Sequence, residues 1–282
     1  MKVETNKLAT AITTIVTGKT ANVVLIMSGK GGVLKTTISQ NTAAAMAKKG
    51  KKVAIVDLDP QKTNLYWGVI RKNYITKETQ KVTADYQELK KQVAENGKVY
   101  NERAAKQVAK RAAKLKEIKN VDVVHMDITN MDWKAIEALR SQYDEIVFDT
   151  PGHSEFVGVI KDLIKIANTV LIPFHNSIDD LNVRKDVEKT IKSCGEVEAR
   201  IFSLIIDMNE RQGKNGVPEK LLANVIATMP IAPVRLYKRT SWLGPKMNGL
   251  AVVEASKDKI AIAQFDALAD LLINQSTVAE AA

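Results

Sequence analysis

Eight residues, Gly29 to Thr36, have the types and spacing of a phosphate-binding loop. They spell GKGGVLKT, which matches the pattern G-x-x-x-x-G-K-[ST] except that Leu34 replaces the second glycine. In such a loop successive backbone N–H groups surround the phosphates, and glycines let the chain approach closely. Lys35 would add a positive charge at the β- and γ-phosphates, and the hydroxyl group of Thr36 would ligate Mg²⁺.

Three carboxylates follow buried apolar runs elsewhere in the sequence. Asp57 and Asp59 end the run VAIVDLD, and Asp149 ends the run EIVFD. A carboxylate after buried apolar residues is costly unless it has a partner, and Mg²⁺ or a positioned water molecule would provide one. The alternative for each of them is a helix cap or a turn residue. Together with the loop, these residues favour a site for a nucleotide and Mg²⁺.

The elements that must position these residues alternate along the chain. Helix-period segments separate Val/Ile-rich runs that are typical of strands buried on both faces. This alternation predicts an α/β fold, a doubly wound and mostly parallel sheet with helices on both faces and ligands beyond the carboxyl ends of its strands. The expected strands are Ala21–Met27, Lys51–Asp59, Val121–Asp127, Asp144–Thr150, Asn168–Phe174 and Ala199–Met208.

Two segments fall outside this alternation. Residues 1–20 form a short extension, and residues 21–282 are expected to be a single domain with a basic helical insertion or enlarged region at about 71–120. This region contains fourteen Lys/Arg against six Asp/Glu. Lys106, Lys110 and Lys114 follow i,i+4 spacing and would face solvent or phosphate.

Composition limits the classes of protein that remain. The chain of 282 residues has a net charge of +10, which suggests a polyanionic partner, although a solvated helical face explains many such runs. Apolar runs are of strand length, and the N-terminus lacks the apolar block of a secretory signal, so we expect a soluble, cytoplasmic protein. Its one cysteine, Cys194, excludes an internal disulfide and a multi-cysteine metal site within one chain.

These features together resemble the ParA/MinD family of deviant Walker ATPases, in particular the short ParA partition proteins. The resemblance runs from about Asn22 to the C-terminus, and only the region 71–120 has no clear counterpart. It rests on KGGVLKTT with the extra lysine Lys30, DLDPQ, IVFDTPG, LIPFHNSIDDL and YKRTSWLGPKMNGLAVVE.

The resemblance implies a role for each matching residue. Lys30 is similar to the signature lysine that reaches the partner's nucleotide in an ATP-sandwich dimer, and Asp59 to the residue that positions the attacking water. The implied catalytic residues are Lys30, Lys35 and Asp59, and the implied Mg²⁺ residues are Thr36, Asp57 and Asp149. The implied ATP-binding residues are Gly29, Lys30, Gly31, Gly32, Val33, Leu34, Lys35, Thr36, Thr37 and, in an adenine pocket, Asn209. The implied DNA-binding residues are Lys238, Arg239 and Lys246.

The implied function is a partition ATPase with ATP and Mg²⁺ as cofactors. ATP would drive homodimerisation and sequence-independent DNA binding on the nucleoid, and a ParB-like adaptor would stimulate hydrolysis and release, which segregates a plasmid, chromosome or other cargo. In this context the basic region 71–120 favours DNA over a merely solvated face. No membrane contact is expected, because acidic Asp266 and Asp270 on the C-terminal helical segment disfavour anionic lipid.

Three alternatives remain open at the level of sequence. One is a MinD-like regulator at a membrane, the second is a relative that uses nucleotide as a structural element or fixed switch, and the third is a small-molecule ligase or kinase of similar fold. Leu34 motivates the second. We expect a negative φ angle at Leu34, because leucine adopts it readily at a helix entrance. If its Cβ instead opens the loop, turnover suffers more than affinity, so we expect retained ATP binding with slow hydrolysis.

Overall fold

The strands form one parallel sheet, as the sequence predicts for a doubly wound fold. A computed structural model describes residues 20–97, 101–152, 156–175, 178–207 and 229–274. In these ranges seven parallel strands have the order β3-β2-β4-β1-β5-β6-β7, so the predicted fold class is confirmed. The strands are β1 (Asn22–Ile26), β2 (Val53–Asp57), β3 (Val121–His125), β4 (Glu145–Asp149), β5 (Thr169–His175), β6 (Arg200–Asp207) and β7 (Leu236–Tyr237).

The central strands are buried on both faces because helices cover the sheet on each side. Every residue of β1, β2 and β4 is buried, as their continuous apolar runs predict. The six expected strands are all present with slightly different ends. The seventh, β7, has only two residues, too few for an apolar run to reveal it.

Nine α-helices accompany the strands within the described ranges. One face of the sheet packs against α1 and α9, and the other packs against α4, α5 and α6, which gives two apolar cores. None of the helices in these ranges combines the length and the apolar character needed to cross a bilayer. The helices are α1 (Lys35–Lys48), α2 (Thr63–Asn96), α3 (Glu102–Glu117), α4 (Trp133–Gln142), α5 (Val157–Ile166), α6 (Ile178–Lys192), α7 (Leu243–Lys246), α8 (Val252–Ala255) and α9 (Lys259–Ile273).

Helices α2 and α3 form a hairpin that corresponds to the basic region of the sequence. Helix α2 begins at Thr63, earlier than the expected boundary at residue 71, and continues for 34 residues. Helix α3 turns back along it, and an ion pair joins Arg111 of α3 to Asp85 of α2. The apolar residues of α3 at helical spacing are at least partly buried, while Lys106, Lys110 and Lys114 are exposed. The domain boundaries themselves stay a prediction, and residues 1–19 lie outside the described ranges.

A buried ion pair fixes the base of the hairpin to the C-terminal part of the chain. The guanidinium group of Arg71 donates to both carboxylate oxygens of Glu254, at 2.7 and 2.5 Å. It also donates to the backbone carbonyls of Gly249 and Lys119. Gly249 has a φ angle of 64°, and a Cβ there would lie 2.2 Å from the Arg71 backbone nitrogen. Helix α2, the start of β3 and the segment before α8 therefore meet at Arg71.

Loss of one partner of this ion pair should be strongly destabilising. In Glu254→Ala, the guanidinium group of Arg71 would remain buried without a counter-charge, which typically costs about 3–5 kcal/mol. Urea unfolding followed by circular dichroism measures the decrease in the free energy of unfolding. Glu137→Ala is the matched control, because Glu137 pairs with Arg140 at the surface with a side chain 63% exposed, and an exposed pair is worth about 1 kcal/mol or less. Equal losses in the two variants would contradict the importance of the buried pair.

Candidate functional site

The carboxyl ends of three neighbouring strands meet beside the phosphate-binding loop. Strand β4 lies between β2 and β1, with Asp149 in register with Asp57 on one side and with Ile26 on the other. The loop continues from β1 and ends where α1 begins at Lys35. Parallel strands place their carboxyl ends at one edge of the sheet, where such folds bind ligands. The fold therefore brings the loop and two of the three predicted carboxylates together.

Lys35 lies buried at the start of α1, with its side chain directed back along the loop. Its Nζ donates to the Ser28 hydroxyl oxygen at 3.0 Å, and that hydroxyl group donates to the Lys30 carbonyl oxygen at 2.7 Å. Burial lowers the pKa of Lys35, and the negative charges of Asp149 and Asp59 act against this shift. The loop thus holds its lysine charge close to both carboxylates.

The remaining residues of the loop differ in how far they are exposed to solvent. Gly31 and Gly32 are exposed, and Gly32 has a φ angle of 80°. Val33 is buried in the core. The half-buried residues of the predicted nucleotide site are Gly29, Lys30, Leu34, Thr36 and Thr37. Because these glycines are exposed and have no side chain, a phosphate could approach the loop backbone closely here, as a phosphate cradle requires.

Leu34 has a left-handed backbone conformation, so the expected negative φ angle was wrong. Its φ and ψ angles are 60° and 22°, and it is the N-cap residue of α1. Left-handed geometry places the Cβ of an L-residue close to the following carbonyl and costs roughly 1–2 kcal/mol. The Leu34 side chain packs against the core on the α1 side of the sheet. Leucine therefore adopts the conformation that glycine would have here, and its packing offsets the strain.

Asp149 is fully buried and only partly satisfied by hydrogen bonds. One carboxylate oxygen accepts from Asn64 Nδ2 at 2.7 Å, while the other has no hydrogen-bond partner within the described residues. Burial raises the pKa of Asp149 to about 7, and the nearby Thr36 hydroxyl group and Lys35 charge lower it. A buried carboxylate oxygen without a donor fits a hard cation, which prefers oxygen ligands.

The other ligands of such a cation would not come from a cluster of protein side chains. Within the described ranges, no group of three or more His, Cys, Asp or Glu residues could hold a metal ion. Mg²⁺ usually keeps several water molecules and binds one or two protein oxygens together with substrate phosphates. Asp149 and Thr36, beside a phosphate-binding loop, fit a site in which the protein supplies one or two of the oxygen ligands of Mg²⁺.

Asp57 caps the start of α2. It accepts backbone N–H groups of Asn64 at 2.9 Å and Leu65 at 3.1 Å on one oxygen, and that of Asp59 at 3.2 Å on the other. Burial raises the pKa of Asp57, and these donors lower it. The capping role that the sequence left open for Asp57 is therefore present in the structure.

Asp59 is half-buried, just beyond the end of β2. One of its carboxylate oxygens accepts the Gln61 backbone N–H at 2.8 Å. Its charge acts on Lys35. Asp59 thus borders the loop and remains partly open to solvent, as a residue that contacts a water molecule must be.

The structure adds two residues to the site that sequence reasoning missed. Asn64, in the first turn of α2, is buried. Its side-chain amide donates to the Asp149 carboxylate, and its backbone N–H donates to the Asp57 carboxylate. Gly152, after β4, lies against the loop, because a Cβ there would be 2.8 Å from Gly31 Cα. A sequence signal existed only for Asn64, a polar residue at the start of a helix seven positions after Asp57. The contact of Gly152 depends on tertiary packing alone.

The predicted DNA-binding residues differ in their surroundings. Lys238 is exposed, whereas Arg239 forms an ion pair with Asp258, the N-cap of α9. Burial lowers the pKa of Lys246, and the charge of Asp149 raises it, so Lys246 lies near the nucleotide side of the sheet. Asn209, the predicted adenine contact, lies outside the described residues.

Comparison with known proteins agrees with the class of protein that the fold and loop define, a P-loop ATPase. The AAA domain family model matches residues 21–200, and the chain belongs to this family. Within it, the chain is a member of the ParA/MinD group of deviant Walker ATPases. ATP with Mg²⁺ is the ligand pair that membership implies for the loop.

Individual relatives cover most of the chain at low identity. The septum site-determining protein MinD of Thermotoga maritima is 24% identical over 85% of this chain and 86% of its own. The cell division protein MinD of Aquifex aeolicus has a similar fold, with a TM-score of 0.59, 20% identity and coverage of 90% and 97%. A putative plasmid partition protein of Borrelia burgdorferi bound to AMPPNP has a TM-score of 0.56, 18% identity and coverage of 90% and 98%.

The left-handed conformation of Leu34 predicts an unusual order of stability among its variants. Leu34→Gly should be more stable than Leu34→Ala by about 1 kcal/mol, because both lose the leucine packing but only alanine keeps the strained Cβ. Chemical denaturation of both variants measures the difference. Ala47→Gly is the control. Ala47 lies within α1, where alanine should be more stable than glycine by about 1 kcal/mol. Greater stability of Leu34→Ala would contradict the left-handed conformation.

The contact of Gly152 with the loop predicts a specific loss of nucleotide affinity. In Gly152→Ala the new methyl group would push on the Gly31 backbone, so we expect at least tenfold weaker binding of an ATP analogue in a fluorescence titration. Gly158→Ala is the matched control, because a Cβ at Gly158 in α5 meets nothing within 4 Å. Unchanged affinity in Gly152→Ala would show that the loop does not depend on this contact.

Proposed function

We propose that this protein is a ParA-type partition ATPase, which dimerises on binding Mg-ATP, binds DNA without sequence specificity and releases it on hydrolysis. One observation carries the nucleotide part of the proposal, namely the unpartnered buried oxygen of Asp149 beside Lys35 and Thr36. The DNA part is supported by the net charge of +10 and the exposed lysines of α3. A ParB-like adaptor would stimulate hydrolysis and so set the timing of release.

In this proposal the chain's own groups bind and orient the triphosphate. The backbone N–H groups of residues 29–37 surround the phosphates, and Lys35 places its charge at the β- and γ-phosphates. Asp149 and Thr36 hold Mg²⁺, which when bound offsets the charge on the transferred phosphoryl group. Asp57 contributes indirectly, since both of its oxygens already accept backbone N–H groups.

Hydrolysis and dimerisation are assigned to two further residues. Asp59 orients the attacking water, because it is the carboxylate at this edge that stays partly exposed. Lys30 reaches the nucleotide of the second protomer, so that ATP completes the dimer interface. Asn209 contacts the adenine, and Lys238, Arg239 and Lys246 contact DNA, with the exposed Lys238 the best placed of the three.

The likeness to MinD proteins supports a second candidate, a positioning regulator that acts at a membrane surface. A lipid-binding helix needs an apolar face that is free to enter the interface. In α9 that face is occupied, because Phe265, Leu268 and Leu272 are fully buried in the core. This burial favours the DNA-binding candidate over α9 as a membrane anchor.

A DNA titration with different nucleotides tests the proposed switch. We expect the natural protein to dimerise and bind duplex DNA at least tenfold more tightly with ATP than with ADP or without nucleotide. Lys30→Ala should lose this difference, since it lacks the residue assigned to the dimer. Fluorescence anisotropy measures DNA affinity, and analytical ultracentrifugation measures dimerisation.

Lys189→Ala is the control for loss of one positive charge, because the Lys189 side chain is 78% exposed on α6. It should behave like the natural protein. Equal DNA affinity under the three nucleotide conditions would overturn the switch. ATP-dependent binding to vesicles that contain anionic lipid, without binding to DNA, would support the membrane regulator instead.

A further inference from the structure

A row of four cations occupies the solvent side of α3. The basic stripe consists of Arg103, Lys106, Lys110 and Lys114, all of which are exposed. Successive members are three or four residues apart, so they lie on one side of the helix. With a rise of about 1.5 Å per residue, the stripe is about 16 Å long.

Little within the protein neutralises this stripe. Lys106 lies 3.9 Å from Glu102, and both side chains are more than 80% exposed, which makes the pair weak. In the part of the chain that the structure describes, no ion pair engages Arg103, Lys110 or Lys114. By contrast, Arg111 points toward α2 and pairs with Asp85. The hairpin thus uses one cation of α3, Arg111, internally, and presents the four cations of the stripe to solvent; Lys116, off the stripe, is exposed as well.

The chemistry of the stripe fits a phosphate backbone better than a bilayer or a protein surface. The larger apolar residues of α3, Val108 and Leu115, are partly buried rather than on the stripe. A bilayer contact needs apolar side chains for insertion, and a protein interface needs an apolar core. Duplex DNA needs neither, because cations that neutralise its phosphates supply sequence-independent affinity.

The length of the stripe is also sufficient for several contacts with a regular polyanion. Lysines four residues apart are about 6 Å apart along the helix axis. One strand of DNA carries a phosphate about every 3.4 Å along its axis. Over its 16 Å length, the stripe can therefore contact several phosphates without any base-specific group.

The residues that the family resemblance assigns to DNA are less available than the stripe. Arg239 is engaged with Asp258, and Lys246 is half-buried with its charge near Asp149. Among these three residues, Lys238 is the exposed one. The stripe therefore presents more exposed cations on one surface than the three C-terminal residues do.

The hairpin is also connected to the nucleotide site through a single helix. Helix α2 begins with the hydrogen bonds of Asn64 and Leu65 to Asp57, and Asn64 contacts Asp149. Two turns later Arg71 is clamped by Glu254. Helix α2, which holds α3 through the ion pair of Asp85 with Arg111, thus also contacts Asp149 at the candidate nucleotide site.

We propose that the basic stripe of α3 is a DNA-contacting surface of this protein, which binds the phosphates of duplex DNA without reading its sequence. This inference deepens the proposed function and rests on it. The C-terminal residues Lys238, Arg239 and Lys246 become the smaller part of the DNA surface.

The test compares two triple variants of equal charge. Lys106→Gln/Lys110→Gln/Lys114→Gln removes three cations of the stripe, and Lys165→Gln/Lys189→Gln/Lys192→Gln removes three exposed lysines from α5 and α6. Anisotropy titrations with ATP use two duplexes of unrelated sequence at several salt concentrations. Far-UV circular dichroism and basal ATPase activity, which should not change, verify that both variants are folded.

We expect the stripe variant to bind both duplexes at least tenfold more weakly at about 0.1 M salt. The slope of log K against log salt concentration should fall by about 2 to 3, because each phosphate contact contributes about 0.9. The α5/α6 variant should stay within about twofold of the natural protein. Lys106→Arg/Lys110→Arg/Lys114→Arg should restore affinity, since it keeps the charges.

Each contrary result has a distinct meaning. If the stripe variant binds DNA like the natural protein, the inference is overturned and the proposed function stands. If the natural protein shows no ATP-dependent DNA binding at all, the proposed function fails and the inference with it. If the stripe variant loses only binding to phosphatidylserine vesicles, the stripe is a membrane contact and the DNA inference is wrong.

Discussion

The burial of the Asp149 carboxylate is the constraint on which the arrangement of the site depends. A fully buried carboxylate is expensive in an apolar sheet unless donors or a cation stabilise it. Asn64 satisfies one oxygen, and Lys35 contributes charge from the neighbouring loop. The second oxygen has no donor among the described residues, so an ion bound here would remove an existing cost. The fold thus places this carboxylate by its protein contacts alone, and leaves one of its oxygens available to a cation.

Helix α2 connects this carboxylate to the C-terminal part of the chain. Its first turn supplies Asn64 to Asp149 and backbone N–H groups to Asp57, and two turns later it supplies Arg71 to Glu254. The Arg71 pair is buried, so any displacement of the helix would leave an uncompensated charge in the core. The phosphate edge, the segment before α8 and the hairpin are consequently coupled through one element.

Continuous apolar runs were sufficient to predict the sheet, its class and the position of the loop, because strands buried on both faces leave a strong local pattern. Other features have no local pattern. The two-residue β7 is too short, and the contact between Gly152 and Gly31 joins loops 121 positions apart. The partner of Arg239, Asp258, is likewise set by how α9 docks. Sequence therefore predicted that Lys106, Lys110 and Lys114 face outward, because helical spacing is a local pattern, but it did not predict that Arg239 is held in an ion pair.

Leu34 shows how a departure from a motif can leave the backbone of the motif intact. The sequence favoured a relaxed negative φ angle at Leu34, and the structure has a positive one. Leucine instead takes the left-handed conformation of the missing glycine, with its side chain against the core. The strain of roughly 1–2 kcal/mol is then a cost to folding stability, which the packing of the Leu34 side chain against the core opposes.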